Sequence, residues 1–367
     1  MHSLQNQNLY LPTGIAAQQE ISFENGLIKE VKSNNVPTDT TEDTYLLPGF
    51  IDLQIYGAAG KLFSAEPSLE SIRIIEDQLL KEGTTGFLIC LATNTPEVFN
   101  QCISVIKEYR KDARNCMGLH LEGPFINPEK RGAHVKEYIR KASLDEIKQL
   151  LDFGDGTIKM MTLAPELQDD NVIQYLLDHD VILSLGHSNA NFEQATNAYN
   201  KGIQTTTHLF NAMSPIQHRA PGIPTAVFSH SKAMSSIIAD GLHVDFEVVK
   251  IAAKMMKERL FIITDAVAEC NLGPYQHHAI DGKFVMPDGT LSGSAMTMLQ
   301  SIKNCVEHCD IPLTEAINMA TINPAKLIKR ENEMGQLTVN AQANLVRVNE
   351  KLELQQVFFK GEEIKLN

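Results

Sequence analysis

Met117-Gly118-Leu119-His120-Leu121-Glu122-Gly123-Pro124 is a short apolar run that ends on a carboxylate and is then broken by Gly-Pro. A run of this length between turn formers reads as a buried strand, Met117 to Leu121, with Glu122 at its end. The design recurs along the chain. Strand candidates of the same kind stand at Phe50 to Ile55, Thr85 to Ala92, Ile158 to Leu163, Val181 to Leu185, Ile203 to Thr207, Ser236 to Ala239 and Leu260 to Thr264. Segments of helical period lie between them, most plainly Ser68 to Lys81 and Asp245 to Glu258, each with a hydroxyl or acidic residue at its start and basic residues near its end. Repeated β-α units in this number predict an α/β fold, a closed (β/α)8 TIM-like barrel over residues 47–335.

The two ends of the chain read differently. Apolar-alternating runs from Leu9 to Leu46, with a Glu24-Asn25-Gly26 turn, and again at Ala343 to Val348 and Leu352 to Phe359, with a Lys360-Gly361 turn, are hairpin patterns. They predict one small β-sandwich domain built from residues 1–46 and 336–367. A further insertion, Tyr275 to Ser294, carries a Pro287-Asp288-Gly289 turn between two apolar runs and predicts a hairpin over the barrel mouth.

Composition narrows the function classes. The chain has 367 residues, 43% of them hydrophobic, which suits a packed globular core. A net charge of -13 disfavours nucleic acid. No apolar stretch approaches the roughly 20 residues of a membrane span, and Met1 to Tyr10 is polar, so a cytoplasmic protein with no membrane partner is expected. The six cysteines are scattered and read as reduced thiols; Cys305 and Cys309 could share a helical face, but no ligand partners lie near them in sequence.

Barrels of this class do chemistry where their strands end. Five such ends carry ionisable residues: Glu122, Gly186-His187-Ser188, Thr207-His208, Asp240-Gly241-Leu242-His243 and Thr264-Asp265-Ala266. Glu122, His187 and His208 form the donor set of an open catalytic divalent-metal site, one carboxylate and two imidazoles. Asp265 is the candidate general acid and base, although an Asp in this place also caps helices. His134 in Arg131-Gly132-Ala133-His134 is a candidate donor to an oxyanion. Arg219 and His243 suit a phosphate, with a solvated surface role as the alternative for Arg219. Asn211 and the backbone after it could meet a sugar or phosphate oxygen, or simply form a turn.

These motifs, with Pro48-Gly49-Phe50-Ile51-Asp52, Thr207-His208-Leu209-Phe210-Asn211-Ala212-Met213 and Leu291-Ser292-Gly293-Ser294, together resemble the N-acetylglucosamine-6-phosphate deacetylases of the amidohydrolase superfamily, in order from about residue 48 to residue 335. The resemblance implies an amidohydrolase-type barrel and a metal-dependent hydrolase that releases acetate from an N-acetylamino sugar 6-phosphate, a small-molecule partner, in amino sugar metabolism. It implies Glu122, His187 and His208 as metal ligands, Asp265 and His134 as catalytic residues, and His134, Asn211, Ala212, Arg219 and His243 as substrate-binding residues. Arg219 and His243 receive the phosphate in that family partly across a homodimer interface.

The sequence departs from the superfamily in two places. The His-x-His pair that holds a second metal in many amidohydrolases is replaced by Gln54 and Tyr56, poor ligands for zinc or iron, so one divalent ion per site is expected: zinc, with iron, cobalt or manganese as alternatives. Val267-Ala268-Glu269-Cys270 after Asp265 also differs from the usual small residues and Pro, which leaves the galactosamine series open as substrate. A metal-free, non-catalytic assembly module is the reading from another class.

Overall fold

The third barrel strand, Cys116–Glu122, pairs in parallel with Thr84–Ala92 on one side and Ile158–Leu163 on the other. From there the sheet runs through Ile182–Leu185, Thr205–Thr206, Met234–Ile237 and Leu260–Ile262, with Phe50–Ile55 on the far edge beside Thr84–Ala92. A parallel bridge between Ile55 and Ala266 brings the first and eighth staves together, so the eight strands form a nearly closed barrel. The structure is a computed structural model that describes residues 2–11, 14–33 and 44–366.

The strand pattern accounts for the packing. Phe87, Ile89, Met161 and Ile262 pack with the surrounding helices in the main apolar cluster, while Leu88, Met160, Phe261 and Ile263 gather in a separate one with Ala325, Leu327 and Met334. Neighbours in the chain thus face opposite ways, as a period of two requires. Each such side chain taken fully out of water contributes about 1.5–3 kcal/mol. The helices begin where their caps allow: Ser68 accepts the N–H of Ser71 ahead of Leu69–Lys81, and Asp245 accepts that of Glu247 ahead of Phe246–Met256.

Both chain ends contribute to one seven-stranded mixed sheet, in the order Glu362–Ile364, Leu354–Phe359, Leu345–Asn349, Thr44–Pro48, His2–Leu11, Gly14–Glu24 and Leu27–Ser33. The small domain expected from both termini is therefore a single hydrogen-bonded sheet, with Leu9, Ile21, Phe23, Leu46, Leu345 and Phe358 in its buried core. Asn25 and Gly26, at φ 53° and 77°, and Lys360 and Gly361, at φ 49° and 80°, make the two-residue turns of two of its hairpins. Residues 1, 12–13, 34–43 and 367 of the expected β-rich ends lie outside the described residues.

The insertion after the eighth strand is a hairpin, His278–Ile280 with Lys283–Val285, but its turn is Asp281-Gly282. Asp281 and Gly282 take φ 49° and 76°, the geometry that joins strands without splaying them. Pro287-Asp288-Gly289, where the sequence pattern put the turn, instead forms a second reversal that returns Leu291 to bridge Val285. No helix among the described residues is long and apolar enough to cross a membrane.

Candidate active site

All five strand ends named above bring an ionisable residue to the barrel mouth, Glu122, His187, His208, His243 and Asp265, and His134 joins them. Glu122 ends its strand, and Gly123 follows at φ 83°, where a Cβ would lie 2.1 Å from the Thr93 hydroxyl. Only a glycine lets Thr93 approach, and Thr93 in turn positions His134. His187, His208 and Asp265 all sit at positive φ, 45°, 33° and 54°. Such backbone is costly for a side-chain-bearing residue and persists where the surrounding fold enforces it, commonly at working sites.

Glu122 is the hub. Its Oε1 lies 3.1 Å from His208 Nε2 and 3.3 Å from His187 Nε2, and the two imidazole nitrogens are 3.0 Å apart. All three side chains are buried, and their donor atoms lie within 4.8 Å of one another. His187 Nδ1 is 2.9 Å from the Lys130 carbonyl, which can only accept, so Nδ1 carries the proton and Nε2 offers its lone pair. A carboxylate and two imidazole nitrogens without thiolates suit zinc, iron or a similar divalent ion, so the residues fit the metal that the fold calls for. His208 Nδ1 is buried without a hydrogen-bond partner, unlike its counterpart in His187.

The other oxygen of Glu122, Oε2, faces His134 Nε2 at 3.1 Å and accepts the Tyr56 hydroxyl. The Thr93 N–H donates to His134 Nδ1 at 3.3 Å, which leaves the ring proton on Nε2. Gln54 Nε2 reaches Glu122 Oε1 at 2.9 Å and Asp265 Oδ1 at 2.8 Å. Neither Gln54 nor Tyr56 was expected as a partner of these carboxylates.

Electrostatics separates the two acids. Burial by itself would push Glu122 up, but His187, His134 and His208 hold its carboxyl well below the usual carboxylate range. Burial and the charge of Glu122 raise Asp265. Burial, reinforced by His187, pulls His134 down to about 4. The arrangement therefore sets an ionised ligand beside a carboxyl with enhanced proton affinity and a neutral imidazole N–H, which is the equipment for general acid-base chemistry on a polar bond.

The mouth cavity is about 180 Å³ and is lined also by Asn211, Ala212 and His243. Asp240 fixes His243, its Oδ2 lying 2.6 Å from Nδ1 while its Oδ1 accepts the backbone N–H groups of Leu242 and His243. Arg219 is not brought there. It stands exposed at the tip of a tight reversal in which Gln217 and Ala220 bond to each other through their backbones. None of the residues lining the cavity, all among the described ones, is Lys or Arg. The insertion supplies Tyr275, His277 and Ser292 to the wall; Ser292 belongs to the Leu291-Ser292-Gly293-Ser294 motif, whereas Tyr275 and His277 fall in none of the motifs.

Residues 45–364 match the amidohydrolase family. The N-acetylglucosamine-6-phosphate deacetylase of Haemophilus influenzae is 35% identical over 321 residues, 84% of each chain. The crystal structure of the N-acetylglucosamine-6-phosphate deacetylase from Pasteurella multocida superposes with a TM-score of 0.91 at 33% identity over 99% of both chains. A mutant of the Mycobacterium smegmatis enzyme, solved in complex with N-acetyl-D-glucosamine-6-phosphate, superposes with a TM-score of 0.91 at 28% identity over 99% of this chain and 98% of its own.

Proposed function

We propose, since the chain belongs to the amidohydrolase family and within it to the N-acetylglucosamine-6-phosphate deacetylases, that its barrel mouth hydrolyses the N-acetyl amide of N-acetylglucosamine 6-phosphate to acetate and glucosamine 6-phosphate. The observation that carries this reading is the buried Glu122-His187-His208 group with Asp265 joined to Glu122 through one amide.

Glu122, His187 and His208 would hold a single divalent ion, for which zinc is the reading the donor set favours. When bound, the ion supplies a Lewis acid that polarises the acetyl carbonyl and acidifies water. Asp265, with its raised proton affinity, takes the proton from the attacking water as oxygen adds to the acetyl carbon. His134 donates from Nε2 to the carbonyl oxygen as negative charge develops there; being held neutral above about pH 4, it keeps the tautomer that Thr93 sets. Asp265 then passes its proton to the sugar nitrogen as the carbon-nitrogen bond breaks, so acetate and amine leave and the carboxylate is restored.

His243, Asn211 and Ala212 face the cavity where the sugar phosphate would sit. A phosphate there meets no Lys or Arg from the same chain's lining residues. Arg219, exposed on its reversal, is placed to reach outward, and the reading that uses it is a homodimer in which each subunit's Arg219 completes its neighbour's phosphate site. With no helix of spanning length and a phosphorylated metabolite as substrate, the cytoplasm is the compartment that fits.

Metal analysis of the purified protein, combined with acetate release from N-acetylglucosamine 6-phosphate and N-acetylgalactosamine 6-phosphate, tests the assignment. The expected result is one ion per chain and faster release from the glucosamine compound. Protein without metal and without acetate release would leave the metal-free assembly module as the reading, and faster release from the galactosamine compound would move the substrate to that series.

A further inference from the structure

The closure of the barrel sets Gln54 against Asp265. The Asp265 N–H donates to the Gln54 carbonyl at 3.0 Å, the Tyr56 N–H donates to the Ala266 carbonyl at 2.9 Å, and Ile55 bridges Ala266 between them. That register places the Gln54 side chain between the two working acids. Its one nitrogen spans them, 2.9 Å from Glu122 Oε1 and 2.8 Å from Asp265 Oδ1, and both acids are buried. Two carboxylates this close in a medium of low dielectric repel strongly unless hydrogen-bond donors lie between them. The two N–H bonds of a primary amide match that need, since the group donates twice and carries no charge of its own.

Tyr56 acts on the other oxygen of Glu122, and its hydroxyl also lies 3.1 Å from Gln54 Nε2. Its hydroxyl donates to Oε2, the oxygen that His134 also faces, whereas Oε1 is the one that faces His187 and His208. The carboxylate is thereby held with one oxygen toward the two histidines and the other committed. Tyr56 is itself buried, 8% exposed, so the contact is shielded from competing water.

We propose that Gln54 and Tyr56 are positioning residues for the deacetylation: Gln54 fixes Asp265 in register with Glu122 through Oδ1, leaving Oδ2 for the proton in transit, and Tyr56 confines Glu122 to a single cation-facing oxygen. The inference rests on the function proposed above and adds to it a division of labour. Gln54 governs the proton-transferring acid, and so turnover; Tyr56 governs the ligand, and so retention of the ion.

The test uses zinc-loaded full-length protein. Outer-sphere partners of metal sites are typically worth about 10- to 100-fold in affinity or activity. Gln54→Leu and Gln54→Met, which keep the bulk but lose both N–H donors, are expected to lower kcat on N-acetylglucosamine 6-phosphate by that factor with KM unchanged. Tyr56→Phe, which removes one oxygen atom, is expected to speed zinc loss to EDTA by at least the lower figure. Wild-type kcat in both Gln54 variants, or a fall in kcat matched by a change in KM and in melting temperature, overturns the role of Gln54. Zinc loss from Tyr56→Phe at the wild-type rate overturns the role of Tyr56, and this arm decides alone if the Gln54 variants do not fold. A wild-type protein that holds no zinc and releases no acetate sinks the underlying function instead, a result distinct from either.

Discussion

At the C-terminal end of the strands the barrel encloses about 180 Å³ among Glu122, His134, His187, His208 and Asp265; at the opposite end about 530 Å³ opens between Leu88, Met117, Ile182 and Leu327, with Lys159, Lys329 and Arg330 also in its wall. The larger space is the plainer one. Of its polar groups, Gln204 accepts the Leu183 N–H and Arg330 pairs with Glu333, each away from any shared centre. At the mouth the polar groups are spent on one another, and Glu122 alone meets Gln54, Tyr56, His134, His187 and His208. Convergence of titratable groups, and not volume, distinguishes a site that can do chemistry.

The sharpest way to break this contrast is Asp265→Asn. Loss of the general acid and base is expected to lower turnover by about 10²- to 10⁴-fold while metal content stays at the wild-type level. Turnover near wild type would return the mouth to an ordinary cavity. Next comes Arg219→Ala: if Arg219 completes a neighbour's phosphate site as proposed, its loss removes a charge-assisted contact of about 1.5–3 kcal/mol and should raise KM for the phosphorylated substrate by about 10- to 100-fold with kcat retained. In the proposed homodimer, mixed Arg219→Ala and Asp265→Asn subunits should recover activity, since one of the two shared sites would be intact; no recovery, or an unchanged KM, removes Arg219 from the site.

A smaller effect is expected in pH dependence of stability. Burial pulls His120 and His277 down to about 4 in the folded chain, against 6.5 for a free imidazole. Between those values the unfolded chain binds more protons, so stability is full above pH 6.5 and falls as pH drops toward 4. Melting temperatures of the metal-free protein across that window check the sign, and replacing His120 by Gln should flatten the slope. The smallest effect belongs to the opposite cavity, where Lys159→Met or Lys329→Ala should change stability by no more than about 0.5 kcal/mol and leave turnover unchanged. A loss of turnover there would erase the distinction between the two ends.

The strand-end residues were legible because a barrel strand announces itself twice, by its apolar run and by the ionisable residue where that run stops. Glu122, His187, His208 and Asp265 needed only this local signal. Gln54 and Tyr56 stood out only as replacements for a His-x-His pair, not as partners of the two acids, because those contacts are set by the register in which the first stave meets the eighth, between segments far apart in the chain. Thr93 was hidden for a similar reason, since its value lies in a close approach that Gly123 permits. The insertion was foreseen but its turn was misplaced: Pro287-Asp288-Gly289 is the louder punctuation, yet Asp281-Gly282 supplies the two consecutive left-handed residues a tight hairpin demands.

The seven-stranded sheet bears on how the protein is made. Thr44–Pro48 lies between His2–Leu11 and Leu345–Asn349, so the strand leading into the barrel acquires its second neighbour only after the ribosome has delivered the whole barrel and the strand that follows it. Until then that edge is unpaired while the barrel is being translated, and it is the place where a nascent-chain chaperone would have the most to protect.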